Sequence, residues 1–151
     1  MIWYCDSSAV VKRYVREGGS LWLRREVSKH DLLISQITPV EVYAALAVKQ
    51  RTGYLPLFNY YKARKDFAEH ISHKQYLIWP VSEAIFQMAA TLVGRHPLRA
   101  YDAIQLATAL DYLKTRAPDR ARFRFLTADD QLERAAQADG LKTDNPNRHL
   151  K

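Results

Sequence analysis

MIWYCDSSAVVKRY, residues 1–14, sets the architecture. Met1 to Cys5 is a short, largely apolar run of the kind that forms a buried strand. Ser7 or Ser8 is placed to cap a helix over Ala9 to Arg16, and Gly18-Gly19 ends it. Between strand and helix stands Asp6, a carboxylate where the pattern calls for something neutral. The order strand, acid, helix then recurs. Leu32 to Ser35 reads as a second buried strand, and Thr38-Pro39 starts a helix, Thr as cap and Pro at the first helical position. Glu41 falls in its first turn. Arg122 to Leu126 is a further strand, Thr127-Ala128 its exit, Asp129 the acid and Asp130 to Asp139 the helix.

The remaining segments fill in the same alternation. Ser20 caps a helix through Lys29. Tyr54 to Ile71 is an aromatic and basic helix. Tyr76 to Trp79 is a strand closed by Pro80, and Ser82 caps a helix through Val93 that Gly94 ends. Asp102 opens the small-residue helix AIQLATALDYL, which Pro118 breaks, and Leu141-Lys142-Thr143 is a candidate fifth strand. Strands alternating with an excess of helices predict an α/β domain, a three-layer α/β/α sandwich around a central parallel sheet of four or five strands. It spans residues 1–144, and 145–151 read as a polar C-terminal tail.

At 151 residues and 17.5 kDa the chain is the size of one domain with a self-sufficient core. Its one cysteine, Cys5, excludes an internal disulfide and any CxxC zinc pattern. The N-terminus lacks the features of a signal peptide. No apolar run approaches the roughly 18 residues of a spanning helix. A cytoplasmic protein with no membrane association is expected. The net charge of +7 and pI near 9.6 bias the surface toward polyanions.

Sites in open α/β sheets form beyond the carboxyl ends of the strands. Asp6, Glu41 and Asp129 lie on that edge by topology, and Asp102 joins them if its helix returns there. Each also suits a helix first turn, where the macrodipole welcomes an acid. Asp130 and Glu83 occupy such positions too, so the fourth carboxylate is Asp129 or Asp130. Four acids in one place oppose each other's ionisation. Mg²⁺ or Mn²⁺ relieves this, because hard cations prefer oxygen ligands. An acidic, cation-binding notch in a basic surface is the layout of a nuclease.

IWYCDSSAVVKRY, TPVEVYAAL, LRAYDAIQLATAL and FLTADDQLERAAQADGL followed by Asn145-Pro146 occur here in the order found in PIN domains of the VapC toxin type, which the chain resembles along its whole length. The resemblance implies a metal-dependent endoribonuclease with Mg²⁺ or Mn²⁺ as cofactor. Asp6 and Asp102 would be the main metal ligands, Glu41 would hold a second ion or orient water, and Asp129 would complete the pocket. It further implies an RNA substrate such as tRNA or rRNA, a VapB-type antitoxin as partner, and a homodimer.

Substrate contacts are expected from Ser7 at a helix N-terminus, from Arg95 and Arg99 as phosphate-binding cations, and from Thr127. Tyr101 reads as core packing, with base stacking as the alternative. Lys62, Arg64 and Lys65 share a helix with Phe58, Tyr60 and Tyr61, a mixture that suits RNA or an amphipathic dimer or antitoxin groove, and the second reading is preferred. Two other readings stay open: a PIN-like nuclease in housekeeping RNA processing, and a non-catalytic RNA-binding or scaffold module.

Overall fold

β1 (Ile2–Cys5) runs through the middle of a five-stranded parallel sheet of order β3-β2-β1-β4-β5. Its neighbours are β2 (Asp31–Ser35) and β4 (Phe123–Leu126). β3 (Tyr76–Trp79) and β5 (Thr143–Asp144) form the edges. The structure is a computed structural model and describes residues 1–150. Side chains alternate across the sheet, as the two-residue period of a strand requires. Tyr4, Leu33, Phe123 and Phe125 enter one core, while Trp3, Cys5, Leu32, Ile34 and Leu126 enter the other. Both faces are therefore covered, which is why these strands read as apolar runs.

One face carries α1 (Ser7–Tyr14), α2 (Ser20–Glu26), α3 (Thr38–Arg51) and α4 (Leu57–Ser72). Val10, Val11, Leu23, Leu46 and Phe67 contribute to its core. The opposite face carries α5 (Glu83–Arg95), α6 (Ala100–Arg116) and α7 (Asp130–Ala138). There Ile85, Leu92, Ala103, Leu106, Ala107 and Leu132 pack inward. The small residues of α6 let it lie close to the sheet. The three-layer α/β/α sandwich read from the sequence is the observed fold, with five strands.

Several boundaries differ for local reasons. α1 begins two residues early, because Asp6 and not a serine caps it, accepting from Ala9 N–H. Thr38 lies inside α3 and makes no cap, since its hydroxyl accepts from Gln105. Gly94 does not stop α5, which continues to Arg95 and closes at His96. α6 starts at Ala100 and places Asp102 in its first turn.

The expected tail is a packed segment over its described residues; Lys151 lies outside them. Asn145 is 1% exposed and donates to Asp130 and Glu133. Arg148 pairs with the buried Glu133. His149 stacks on Trp22 at 3.8 Å, and Trp22 stacks in turn on Trp3. Gly19, with φ of 79°, permits this docking, because a Cβ there would stand 1.9 Å from the Pro146 carbonyl oxygen. Polar composition concealed the packing, since the contacts are hydrogen bonds and ring stacks.

Candidate active site

The chain leaves β1 in one direction along the sheet for β2 and β3, then returns to the other side of β1 for β4 and β5. The crevice between β1 and β4 is thus the switch point where α/β sheets bind ligands. A cavity of about 990 Å³ opens there, and Asp6, Glu41, Asp102 and Asp129 all line it.

Asp6 lies deepest, 3% exposed. Its Oδ1 accepts from Ala9 N–H at 2.9 Å and its Oδ2 from Thr127 Oγ1 at 3.0 Å. Ser8 Oγ sits 2.8 and 2.9 Å from the two oxygens. Burial pushes the carboxyl up to about 7, against the pull of these hydrogen bonds, and the Glu41 charge adds to the rise. Glu41 reaches in from α3. Its Oε1 accepts from Gln105 Nε2 at 2.7 Å and its Oε2 from Ser7 Oγ at 3.1 Å. Burial raises its pKa as well, with Asp102 contributing repulsion.

Asp102 and Asp129 share a cation. Arg99 Nε donates to Asp102 Oδ2 at 3.2 Å, and its Nη2 lies 3.8 Å from Asp129 Oδ2. Asp129 also caps α7, its Oδ1 accepting from the Gln131 and Leu132 N–H groups. Capping and pocket formation are therefore not alternatives: Asp6 and Asp129 each cap a helix with one oxygen while lining the cavity. Asp130 does not line it. It accepts from Asn145, so Asp129 is the fourth acid.

The donor set is all carboxylate oxygen, which suits Mg²⁺ or Mn²⁺ and excludes the soft-ligand metals. As the side chains stand, no three of the described acids converge closely enough to hold an ion. Arg99 holds Asp102 and Asp129, and Ser7 and Gln105 hold Glu41. An ion at this site would have to compete with the Arg99 guanidinium for two of the carboxylates. Cys5 stays outside the chemistry, because its buried thiol is pushed well above its usual range and donates to the Trp3 carbonyl.

The predicted contact residues divide. Ser7 and Arg99 line the cavity. Arg95 does not; it pairs with Asp139 at 2.9 Å, as does His96 at 2.8 Å. Thr127 is fully buried and holds Asp6 and the Asp129 N–H, a positioning arrangement and not a surface for substrate. Tyr101 is 63% exposed on the cavity rim, contrary to the core reading, because α6 buries its Ala103 and Leu106 face and leaves Tyr101 off it.

Gln105 was not anticipated. It is 1% exposed and links Tyr4, Thr38 and Glu41. An amide in the otherwise small and apolar helix, one turn after Asp102, was the available signal. Asn147 also lines the cavity, on a segment read as tail.

A family model for the PIN domain matches residues 3–138. The chain belongs to the PIN-domain family. Its sequence is 33% identical over 139 residues to Ribonuclease VapC46 of Mycobacterium tuberculosis, covering 91% of this chain and 92% of that protein. This places the PIN domain among VapC-type members. Two solved structures share its fold. The toxin–antitoxin complex from Klebsiella pneumoniae gives a TM-score of 0.62 at 17% identity, over 95% of this chain and 96% of that one. VapBC2 from Rickettsia felis, bound to a promoter DNA fragment, gives 0.62 at 12% identity, over 96% and 98%.

The two adjacent acids of this PIN domain are separable by experiment. Asp130→Asn is expected to leave stability within about 0.5 kcal/mol and RNA cleavage unchanged. Asp129→Asn keeps the α7 cap, since Asn caps as well as Asp, yet removes a cavity charge and lowers cleavage. Paired cleavage assays and denaturation curves on both variants check this.

Proposed function

We propose that the protein is a metal-dependent endoribonuclease acting in the cytoplasm as the toxin of a VapBC-type pair. One observation carries the reading: four carboxylates from three helix starts and a strand end line a single cavity at the switch point. The deepest has its pKa raised to about 7. Such a cluster is costly to ionise without a cation. The name of the VapC46 relative supports ribonuclease over other nucleases. The solved relatives of the same fold are toxin–antitoxin complexes, which favours a toxin over housekeeping RNA processing.

In this reading Asp6, Asp102, Glu41 and Asp129 hold the Mg²⁺ or Mn²⁺. When bound, such an ion supplies Lewis acidity at a phosphoryl oxygen and lowers the pKa of water. The chain's own residues do the rest. Ser8 and Thr127 fix Asp6 in one orientation, and Gln105 fixes Glu41, so these two carboxylates are preorganised. Arg99 is 82% exposed in its side chain and, among the described residues, anchored only to the two acids. Released from them, it lies at the rim to pair with a phosphate beside the scissile one. Tyr101 offers an exposed ring for a base.

Leu57, Phe58 and Tyr61 of α4 are exposed together. A second copy or the antitoxin is the proposed cover for this face.

The test is a cleavage assay on total tRNA and rRNA. Activity is expected with Mn²⁺ or Mg²⁺, none with EDTA, and inhibition by the protein encoded next to this gene. Equal cleavage in EDTA would refute metal dependence.

A further inference from the structure

A second cavity, of about 670 Å³, lies at the other end of α1, between the turn leading to α2 and the start of α4. Arg13, Arg16, Arg24 and Lys62 line it, and Asp66 is its one acid. Arg13 is engaged within the fold. It donates to Tyr76 Oη at 3.0 Å and to Gln75 Oε1 at 2.6 Å. Lys62 is paired with Asp66. The other two cations have charge to spare. Among the described residues Arg24 spends only Nε, on the Arg13 carbonyl at 2.9 Å. Arg16 has no side-chain partner among the described residues. A helix C-terminus favours cations, which accounts for basic residues there. It does not account for a wide cleft between them lined by free guanidinium groups.

The two cavities share a wall. Lys49 lines the carboxylate cavity, and its Nζ lies 4.8 Å from the centre of the Tyr54 ring. Tyr54 lines the second cavity and donates its hydroxyl to the Arg16 carbonyl at 3.0 Å. Glu17, at the junction, is neutralised by Lys12 and Lys49. The eight residues of α1 separate the two ends by roughly 12 Å. Two guanidinium groups with charge to spare, and one exposed aromatic ring between them and the carboxylate cavity, are the elements that hold a single strand.

We propose that this second cavity is an exosite for the RNA backbone, in which Arg16 and Arg24 hold phosphates several nucleotides from the scissile bond and Tyr54 stacks a base on the way. It deepens the ribonuclease reading by assigning the substrate class, a single-stranded segment long enough to span both cavities.

The experiment measures anisotropy of labelled single-stranded RNA of four and twelve nucleotides in EDTA, so that binding is read without cleavage. The proteins are the wild type, Arg16→Gln/Arg24→Gln, and Tyr54→Leu as a variant that removes no charge. The double variant is expected to bind the twelve-mer about tenfold more weakly, with a salt slope lower by about 1.4, two phosphates' worth. Its affinity for the four-mer is expected to match the wild type. Tyr54→Leu is expected to weaken the twelve-mer alone with an unchanged slope. Wild-type affinity and slope for the twelve-mer in the double variant overturn the proposal. So does a cavity that takes an acidic peptide while the variants bind RNA normally. A wild type that binds the twelve-mer through these residues yet cleaves nothing supports the exosite and sinks the ribonuclease reading instead.

Discussion

Asp6→Asn is expected to cut cleavage steeply and, at pH 8 without metal, to make the protein more stable. The two effects share a cause. The carboxyl is held at about 7 in the fold, against its ordinary value of 3.8. A raised folded pKa means that stability present at low pH is lost as pH rises through 7. At pH 8 the ionised Asp6 is buried beside the Glu41 charge, and the fold carries that penalty. Asparagine removes the charge and keeps an oxygen to accept from Ala9 N–H, so the α1 cap survives. The full shift corresponds to about 4 kcal/mol, and relaxation leaves an expected gain of about 1–3 kcal/mol at pH 8. Near pH 5 Asp6 is mostly protonated in the fold and the gain shrinks. Urea denaturation of both proteins at pH 5 and pH 8 in EDTA measures it. Cleavage is expected to fall by about a thousandfold, since losing a proposed main ligand would forfeit several kcal/mol of charge stabilisation. A variant that is less stable at pH 8, or that keeps full activity, contradicts this account of Asp6.

Gln105→Leu carries the second large effect, and here stability and activity fall together. The amide accepts from Tyr4 Oη at 2.6 Å and donates to Thr38 Oγ1 at 3.0 Å and Glu41 Oε1 at 2.7 Å. Leucine is close in size but takes the Gln105 acceptor from a buried tyrosine hydroxyl, leaving it the Ser35 and Thr108 hydroxyls, takes the amide donor from the Thr38 oxygen, and leaves Glu41 anchored by Ser7 alone among the described residues. An unsatisfied buried polar group costs about 1–3 kcal/mol, so a loss of that order is expected. Glu41 then loses its fixed orientation, and support residues of this kind are worth about 10–100-fold in metal affinity or activity. Glu41→Gln separates the two contributions, because it removes the charge and leaves the tyrosine contact intact. Thermal denaturation with Mn²⁺ titration reads both. A Gln105→Leu protein with wild-type stability would show that the three bonds contribute nothing net.

The fold was legible because both faces of the sheet are covered. Tyr76 to Trp79, read as a strand between a basic helix and Pro80, forms β3 with those bounds. The acids were legible because topology places strand ends together, whatever the details of the helices between. What the sequence hid depends on side-chain direction. Asp102 and Arg95 both border the connection between α5 and α6, yet Asp102 turns into the cavity and Arg95 turns to Asp139. Thr127 sits between a strand and a cavity acid in sequence, but its hydroxyl is spent inside, on Asp6. The segment after Asn145 looked like solvent-exposed tail because its anchors, Glu133 and Trp22, are distant in sequence. Gln105 was invisible as a linker for the same reason: its partners come from β1 and α3.

Carboxylates from four parts of the chain are proposed to form one cation site. Calorimetric titration of Mn²⁺ tests it most directly, run at pH 7 in two buffers of different protonation enthalpy. Wild-type protein is predicted to bind Mn²⁺ with release of protons, because the ion draws on the ionised form of a carboxyl poised near 7. Asp102→Asn is predicted to lose the binding, and Asp6→Asn both the binding and the proton release. Mn²⁺ binding that is absent from the wild type, or unchanged in both variants, would contradict the claim.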